Sequence, residues 1–296
     1  QTKLVWTTPL TFWATTESIL RAGLRPRFGD ADHHGVVVFD DIRSDEIALP
    51  VSLFGRPWKG GTSPGVIIED LSHAHGHPLR GWAAAFSHYP TKNLGAMGMA
   101  GTVVTNDLDL ATWLRRARNH SEDPERRFSH LGVSGNFRMD ELQAAALRAK
   151  LPHLNEWNTE RRRIALHYTK WLKDLPGIIT PQDHPEHVYH IYALRVPGTL
   201  KVNWAGTSPA IHFRRADLGG FLKGHGIAVG ERFSTPCHLQ PAMKGKYRKG
   251  DYPNAEAWAD EVLNLPIYPG LRLDQQDYVI EKVRGWANDE RRESAS

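Results

Sequence analysis

Cysteine is almost missing from this chain, with Cys237 alone among 296 residues. A single thiol excludes an internal disulfide, so the sequence reads as a protein of a reducing cytoplasm held together by its hydrophobic core. Long apolar runs are also lacking. None approaches the roughly 20 residues of a membrane-spanning helix, and no signal-peptide pattern opens the chain. Charge of one sign is lacking too: 37 Lys and Arg stand against 33 Asp and Glu, a net of +4. The basic residues are scattered, which argues against nucleic acid as a partner and leaves only a mild pull on anionic substrates. There is no internal repeat. Gly95, Gly98 and Gly101 do not stand between a strand and a helix start, so a dinucleotide-binding loop fails its context. The chain opens on Gln1 rather than Met, which reads as a processed product or part of a longer protein.

What is present is an α/β pattern. Short apolar segments alternate with turns at Leu4 to Trp6, Val36 to Phe39, Ile47 to Leu53, Val66 to Ile68 and Thr102 to Thr105. Helices are expected at Thr15 to Ala22, closed by Gly23, and at Leu108 to Arg118. Met139 to Leu175 reads as strongly helical with a break at Pro152. In it Arg161, Arg162 and Arg163 are expected on a solvated face. The remainder reads as α+β, with a strand over Val188 to Val196 and helices over Ala216 to Gly224, Asn254 to Leu263 and Gln275 to Trp286. Two domains are expected, 1–150 and 151–296.

The chemistry centres on Lys92, in the turn Phe86-Ser87-His88-Tyr89-Pro90-Thr91-Lys92-Asn93-Leu94-Gly95. Upstream, Val66-Ile67-Ile68-Glu69-Asp70 is an apolar run ending in two acids. A lone lysine is most often a solvated charge, and an acid after an apolar run often caps a helix. Together they suit a pyridoxal phosphate (PLP) enzyme, in which the lysine amine forms a Schiff base and the aspartate keeps the pyridine nitrogen protonated. Of the sixteen histidines, His73, His75 and His77 alternate and on a strand would share a face. They lie within the aspartate block, and His33-His34 reads as a polar turn, so no metal site is expected.

Seven blocks, in order, resemble the DegT/DnrJ/EryC1/StrS aminotransferases, PLP enzymes of fold type I. They are Pro9 to Thr15 with Ala22 to Pro26, Pro50 to Gly55, Ile68 to Gly76, Ser87 to Gly98, Gly135 to Ala145, His238 to Ala242, and Leu265 to Leu271. The resemblance implies a three-layer αβα large domain with a smaller α+β C-terminal domain. It implies that Lys92 and Asp70 are catalytic, Lys92 carrying the cofactor and Asp70 pairing with its ring nitrogen. Phe12 would lie over the ring, although on its own it reads as an ordinary core aromatic. His73, where many relatives have glutamine, would face the ring oxygen. Ser87 would bind the phosphate, and Asn136 would reach the phosphate of the other subunit in a homodimer. The implied reaction moves an amino group from glutamate or glutamine to a nucleotide-linked keto sugar. A branch with histidine in place of the lysine dehydrates sugars, and Lys92 argues against it.

The sequence departs from the family pattern in several places. The opening Ser-Gly-Thr phosphate loop has no counterpart. The stretches Trp58 to Gly65 and Gly76 to Lys92 are short for their positions. Gly98-Met99-Ala100-Gly101 replaces Gly-Glu-Gly-Gly, and Arg232-Phe233-Ser234 replaces His-Tyr-Pro. Another substrate, such as a modified nucleotide, and a non-catalytic structural or regulatory subunit therefore stay open as alternatives. Survival of Asp70, Ser87, Lys92 and Asn136 favours retained PLP binding.

Overall fold

The structure, a computed structural model, describes residues 3–39, 42–58, 65–202 and 210–293. The first half builds a six-stranded sheet in the order β2-β1-β3-β4-β5-β6. Its strands are β1 (Leu4–Thr7), β2 (Arg25–Phe28), β3 (Ile47–Ala48), β4 (Val66–Asp70), β5 (Ala83–Ser87) and β6 (Gly101–Thr105). The first five are parallel, and β6 runs antiparallel to β5. This is the α/β sheet expected of fold type I. Helix α1 (Trp13–Arg21) links β1 to β2, and α2 (Leu108–Ala117) follows β6. Asp107 caps α2 by accepting from Leu110 N–H, and Gly23, at φ +72°, closes the first turn after α1.

Parallel strands normally need a helical crossover. Among the described residues, neither the β3–β4 nor the β4–β5 connection contains an α-helix. The sheet is covered instead by packed loop residues. Val36, Val37 and Trp58 cluster with Phe39 and Ile67, while Leu71, Ala74 and Ala84 cluster with Leu79 and Phe86. Most of the short Trp58 to Gly65 link, residues 59–64, lies outside the described residues.

Beyond the sheet, α3 (Glu141–Lys150), a 3-10 turn at Leu151–His153 and α4 (Leu154–Leu172) form the long helical stretch, with Pro152 in the turn as expected. Strand β7 (Tyr192–Arg195) and the hairpin β8 (Thr199–Val202) with β9 (Ala210–Phe213) come next. They are followed by α5 (Arg214–Gly224), α6 (Pro253–Glu261), β10 (Val262–Leu265) and α7 (Leu273–Glu293). One core is built from α4, α5, α7 and the β7–β10 pair around Tyr168, Leu172, Leu194, Leu218 and Val283. Each such side chain taken from water contributes about 1.5–3 kcal/mol. A second core joins the two halves: Leu10, Leu53 and Phe54 pack on Ile191, Trp258 and Val262.

Four expectations need correction. Val36 to Phe39 is not a strand. Asp32 Oδ1 accepts from His34 N–H and Val36 N–H, which folds the segment into a turn joined to Ala31 by one bridge at Val37. The strand expected over Ile47 to Leu53 ends at Ala48, because Pro50 has no N–H and Phe54 turns the chain at φ +59°. The strand expected from Val188 starts at Tyr192, after Tyr189 at φ +43°. The helix expected to reach Leu263 stops at Glu261, and the fully buried Val262 to Leu265 pairs with β7 instead.

Candidate active site

Parallel α/β sheets bind ligands beyond the C-terminal ends of their strands, and the candidate residues gather there. Asp70 ends β4, Ser87 ends β5, and Phe12 follows β1 as the residue before α1. Asp70 does not cap a helix. Its Oδ2 accepts from Thr15 Oγ1 at 2.8 Å, and its Oδ1 accepts from Ser72 N–H at 3.0 Å. Because the Thr15 proton goes to Asp70, the 3.0 Å contact between Thr11 Oγ1 and Thr15 Oγ1 is donated by Thr11. Thr15 is on the face of α1 turned to the sheet, so the helix fixes the carboxylate.

Lys92 stands on a clasped loop. Ala96 N–H donates to His88 O and His88 N–H to Ala100 O, while Lys92 N–H donates to Tyr89 O. His88 ties the loop through Nδ1 to Leu94 O and through Nε2 to Thr102 Oγ1. Gly95 is required here, since a Cβ at that position would stand 2.3 Å from Pro90 O. Two helices hold the loop from outside. Lys150 Nζ donates to Gly95 O at 2.8 Å, and Asn93 Nδ2 donates to Asn158 Oδ1 at 2.9 Å and to Val188 O at 3.0 Å. Burial is the main force on the Lys92 amine and pushes it down to about 8. Asp70 opposes the shift and Arg232 adds to it.

His73 and His190 complete the wall, their ring centroids 4.5 Å apart. Burial keeps each well below the ordinary histidine range, with Lys92 next for His73, and His73 and then Lys92 next for His190, so both are neutral. His73 Nδ1 accepts from Phe54 N–H at 3.2 Å, which leaves its proton on Nε2 as a donor. His190 Nδ1 meets Asn93 Oδ1 at 3.1 Å, and its Nε2 is buried with no partner among the described residues. Phe233 stacks on His73 with centroids 6.1 Å apart and an interplanar angle of 10°, and it lies 5.9 Å from Phe12. Phe12 is 61% exposed, so it is not the core aromatic that its residue type suggested.

Asp70, Lys92, His73 and Phe12 thus meet, with Ser87 on the same sheet edge. Asn136 does not join them. It lies in an exposed arm, bridged to Asn119, and its Oδ1 accepts from Arg138 Nε at 2.9 Å. Nor do the alternating histidines share a face. His77 Nε2 meets Glu186 O, and His75 lies 5.2 Å from His88 with neither ring nitrogen partnered among the described residues. Ligand atoms of Asp32, His33 and His34 lie within 4.8 Å of one another, a grouping the turn reading did not expect.

Sequence reasoning gave no role to Thr15, Asn93, Arg161 or His190. Asn93 carried a signal, being next to the lysine. Arg161 was expected in solvent, but it is 7% exposed and its Nη1 donates to Ile267 O at 2.9 Å. Of the three arginines, Arg163 is exposed, and Arg162 pairs with Asp183 at 2.7 Å.

The donor set fits PLP: a half-buried lysine that sheds its proton easily, a carboxylate fixed at a strand end, a neutral Nε2–H donor and an orphaned buried nitrogen beside them. The family model of the DegT/DnrJ/EryC1/StrS aminotransferases matches residues 64–284. A pleiotropic regulatory protein of Geobacillus stearothermophilus is 37% identical over 94% of this chain and 77% of its own length. A dTDP-3-amino-3,4,6-trideoxy-alpha-D-glucose transaminase of Streptomyces venezuelae is 38% identical over 81% of this chain and 63% of its own length. The crystal structure of S. venezuelae DesV in complex with a ketimine intermediate superposes with a TM-score of 0.83 at 32% identity, covering 96% of this chain and 78% of that one. Site, fold and sequence agree that the chain belongs to the DegT/DnrJ/EryC1/StrS aminotransferase family of PLP-dependent enzymes.

Proposed function

We propose that the chain transfers an amino group from glutamate or glutamine to a nucleotide-linked keto sugar, working as a cytoplasmic homodimer. The observation that carries the reading is Lys92, held by a clasped loop near Asp70 with its amine lowered to about 8. The transaminase of Streptomyces venezuelae supports a dTDP-linked sugar as the acceptor class. A division near residue 150 would assign the cofactor to the first half and the α4–α7 core to the second.

When bound, PLP supplies an electrophilic carbon for the lysine and a ring that accepts the electron pair of the donor's α-carbon. Asp70, oriented by Thr15, would keep the ring nitrogen protonated. His73 would offer its Nε2–H to the ring oxygen, and Phe12 would pack against the ring. Ser87 binds phosphate at the end of β5. The Lys92 amine, its pKa lowered to about 8, would hold or release a proton near neutral pH and so would serve as acid and base beside the donor's α-carbon. Asn136 serves the partner's site. Its exposed arm and the apolar Met97, Met99, Phe128, Phe137 and Leu142, each more than 70% exposed, suit a protein partner.

Purified protein mixed with PLP should show an absorbance band distinct from free PLP, which Lys92→Ala abolishes while the far-UV spectrum stays unchanged. An unaltered band in the variant overturns the assignment. Asp70→Asn should still bind PLP but lose turnover by orders of magnitude. Mixing Lys92→Ala with Asn136→Ala chains should restore one working site per heterodimer. A monomer that binds PLP fully contradicts the shared site.

A further inference from the structure

A cavity of about 220 Å³ is walled in part by Phe54, and none of His73, Asp70 and Lys92 lines it. It is smaller than the roughly 300–1,000 Å³ of drug-sized ligand sites, so its occupant is small. Phe54, Ile191 and Trp258 give it an apolar floor, with the rings of Phe54 and Trp258 5.8 Å apart. Its polar wall is cationic or hydrogen-donating. Arg56 is 7% exposed and uses only Nη1 on a described partner, Gln182 O at 2.7 Å, leaving the rest of the guanidinium as a donor. His187 Nδ1 accepts from Tyr189 N–H at 3.1 Å, and burial keeps the ring neutral, so the proton is on Nε2. His33 and His34 line the mouth. No carboxylate lines the cavity among the described residues.

The charge balance narrows the ligand. Arg195 also lines the cavity, but Glu261 pairs with it through Nε at 2.7 Å and Nη2 at 2.6 Å. Arg56 feels Asp32 and Asp183 as partial countercharge. One incompletely balanced cation remains over an apolar floor. That arrangement suits a single negative charge on an apolar body, and the same cation disfavours a metal ion at the neighbouring Asp32, His33 and His34.

We infer that this cavity is a second ligand site, taking a small monocarboxylate whose apolar body rests on Trp258 and Ile191 and whose carboxylate meets Arg56 and His187. Its occupancy reaches the cofactor site through Phe54, whose ring walls the cavity while its N–H holds His73. Reciprocity then requires that the ligand and PLP alter each other's affinity.

Benzoate is the probe, titrated calorimetrically into PLP-loaded and apo protein, with uncharged benzamide alongside. Benzoate should bind and benzamide should bind at least tenfold more weakly, because a hydrogen bond to a charged group is lost. Arg56→Gln should weaken benzoate by a similar factor. Ala193→Leu, which fills the cavity from β7, should abolish binding without touching the guanidinium and covers the case in which Arg56→Gln fails to fold. Lys92→Ala should leave benzoate binding in place. Equal binding of benzamide, or benzoate lost in Lys92→Ala and kept in Ala193→Leu, overturns the site. Benzoate binding that leaves PLP affinity unchanged overturns the link through Phe54.

Discussion

Lys92 is set by opposing forces: burial removes its proton, Arg232 helps, and Asp70 resists. Arg232→Gln should therefore raise its pKa above 8 and Asp70→Asn should lower it, as read by NMR titration of 13C-dimethylated lysines. An unmoved midpoint in both variants would mean that neither charge reaches the amine. The same shift couples to stability. Between about 8 and the ordinary 10.5 the unfolded chain holds this proton and the folded chain does not, so stability should rise with pH across that window, and Lys92→Met should flatten the rise. Thr15→Val removes a hydrogen bond to a carboxylate and should weaken PLP about tenfold or more, measured by fluorescence titration. That Lys92 and Asp70 lie near each other was readable from sequence, because each ends or follows an apolar segment in a recognisable block. Arg161 was not, because a triple arginine on a helix looks like a solvated face until the carbonyls of Tyr189, His190 and Ile267 close around one of them.

Among the elements, two turns bear most of the constraint. Gly55 has φ +95°, and a Cβ there would meet Val188 Cγ2 at 2.9 Å. Gly55→Ala should cost about 1–3 kcal/mol of stability in urea unfolding, and it should also disturb His73 through the neighbouring Phe54. The lysine loop depends on the Asn93–Asn158 pair, so a double-mutant cycle with both residues changed to alanine should show about 0.5–3 kcal/mol of coupling; additivity would mean that the pair does not anchor the loop. Helices were readable through their periodicity, and α1, α2, α5 and α7 begin or end within a few residues of expectation. Strands were less so. Val36 and Val37 are buried and β-branched, yet the carboxylate of Asp32 captures the backbone N–H groups a ladder would need. Val262 to Leu265 continues the apolar pattern of α6, and its pairing with β7, with a bridge from Asn264 to Gly230, makes it extended.

For the whole molecule, order along the chain made the α/β class visible, whereas the loop packing that covers the sheet near β4 could not be seen, because it depends on contacts such as Trp58 with Val36 across the fold. The lysine loop is fastened from outside the sheet, by Lys150 at the end of α3 and Asn158 in α4, on either side of the turn at Leu151–His153. Those fastenings give the protein an order of failure. Fraying at that turn frees the lysine while the core around Tyr168 and Val283 is still closed. On a urea gradient, cofactor should leave before helical signal is lost, and a protease able to cut the 3-10 turn should inactivate the protein in one cleavage without melting either half.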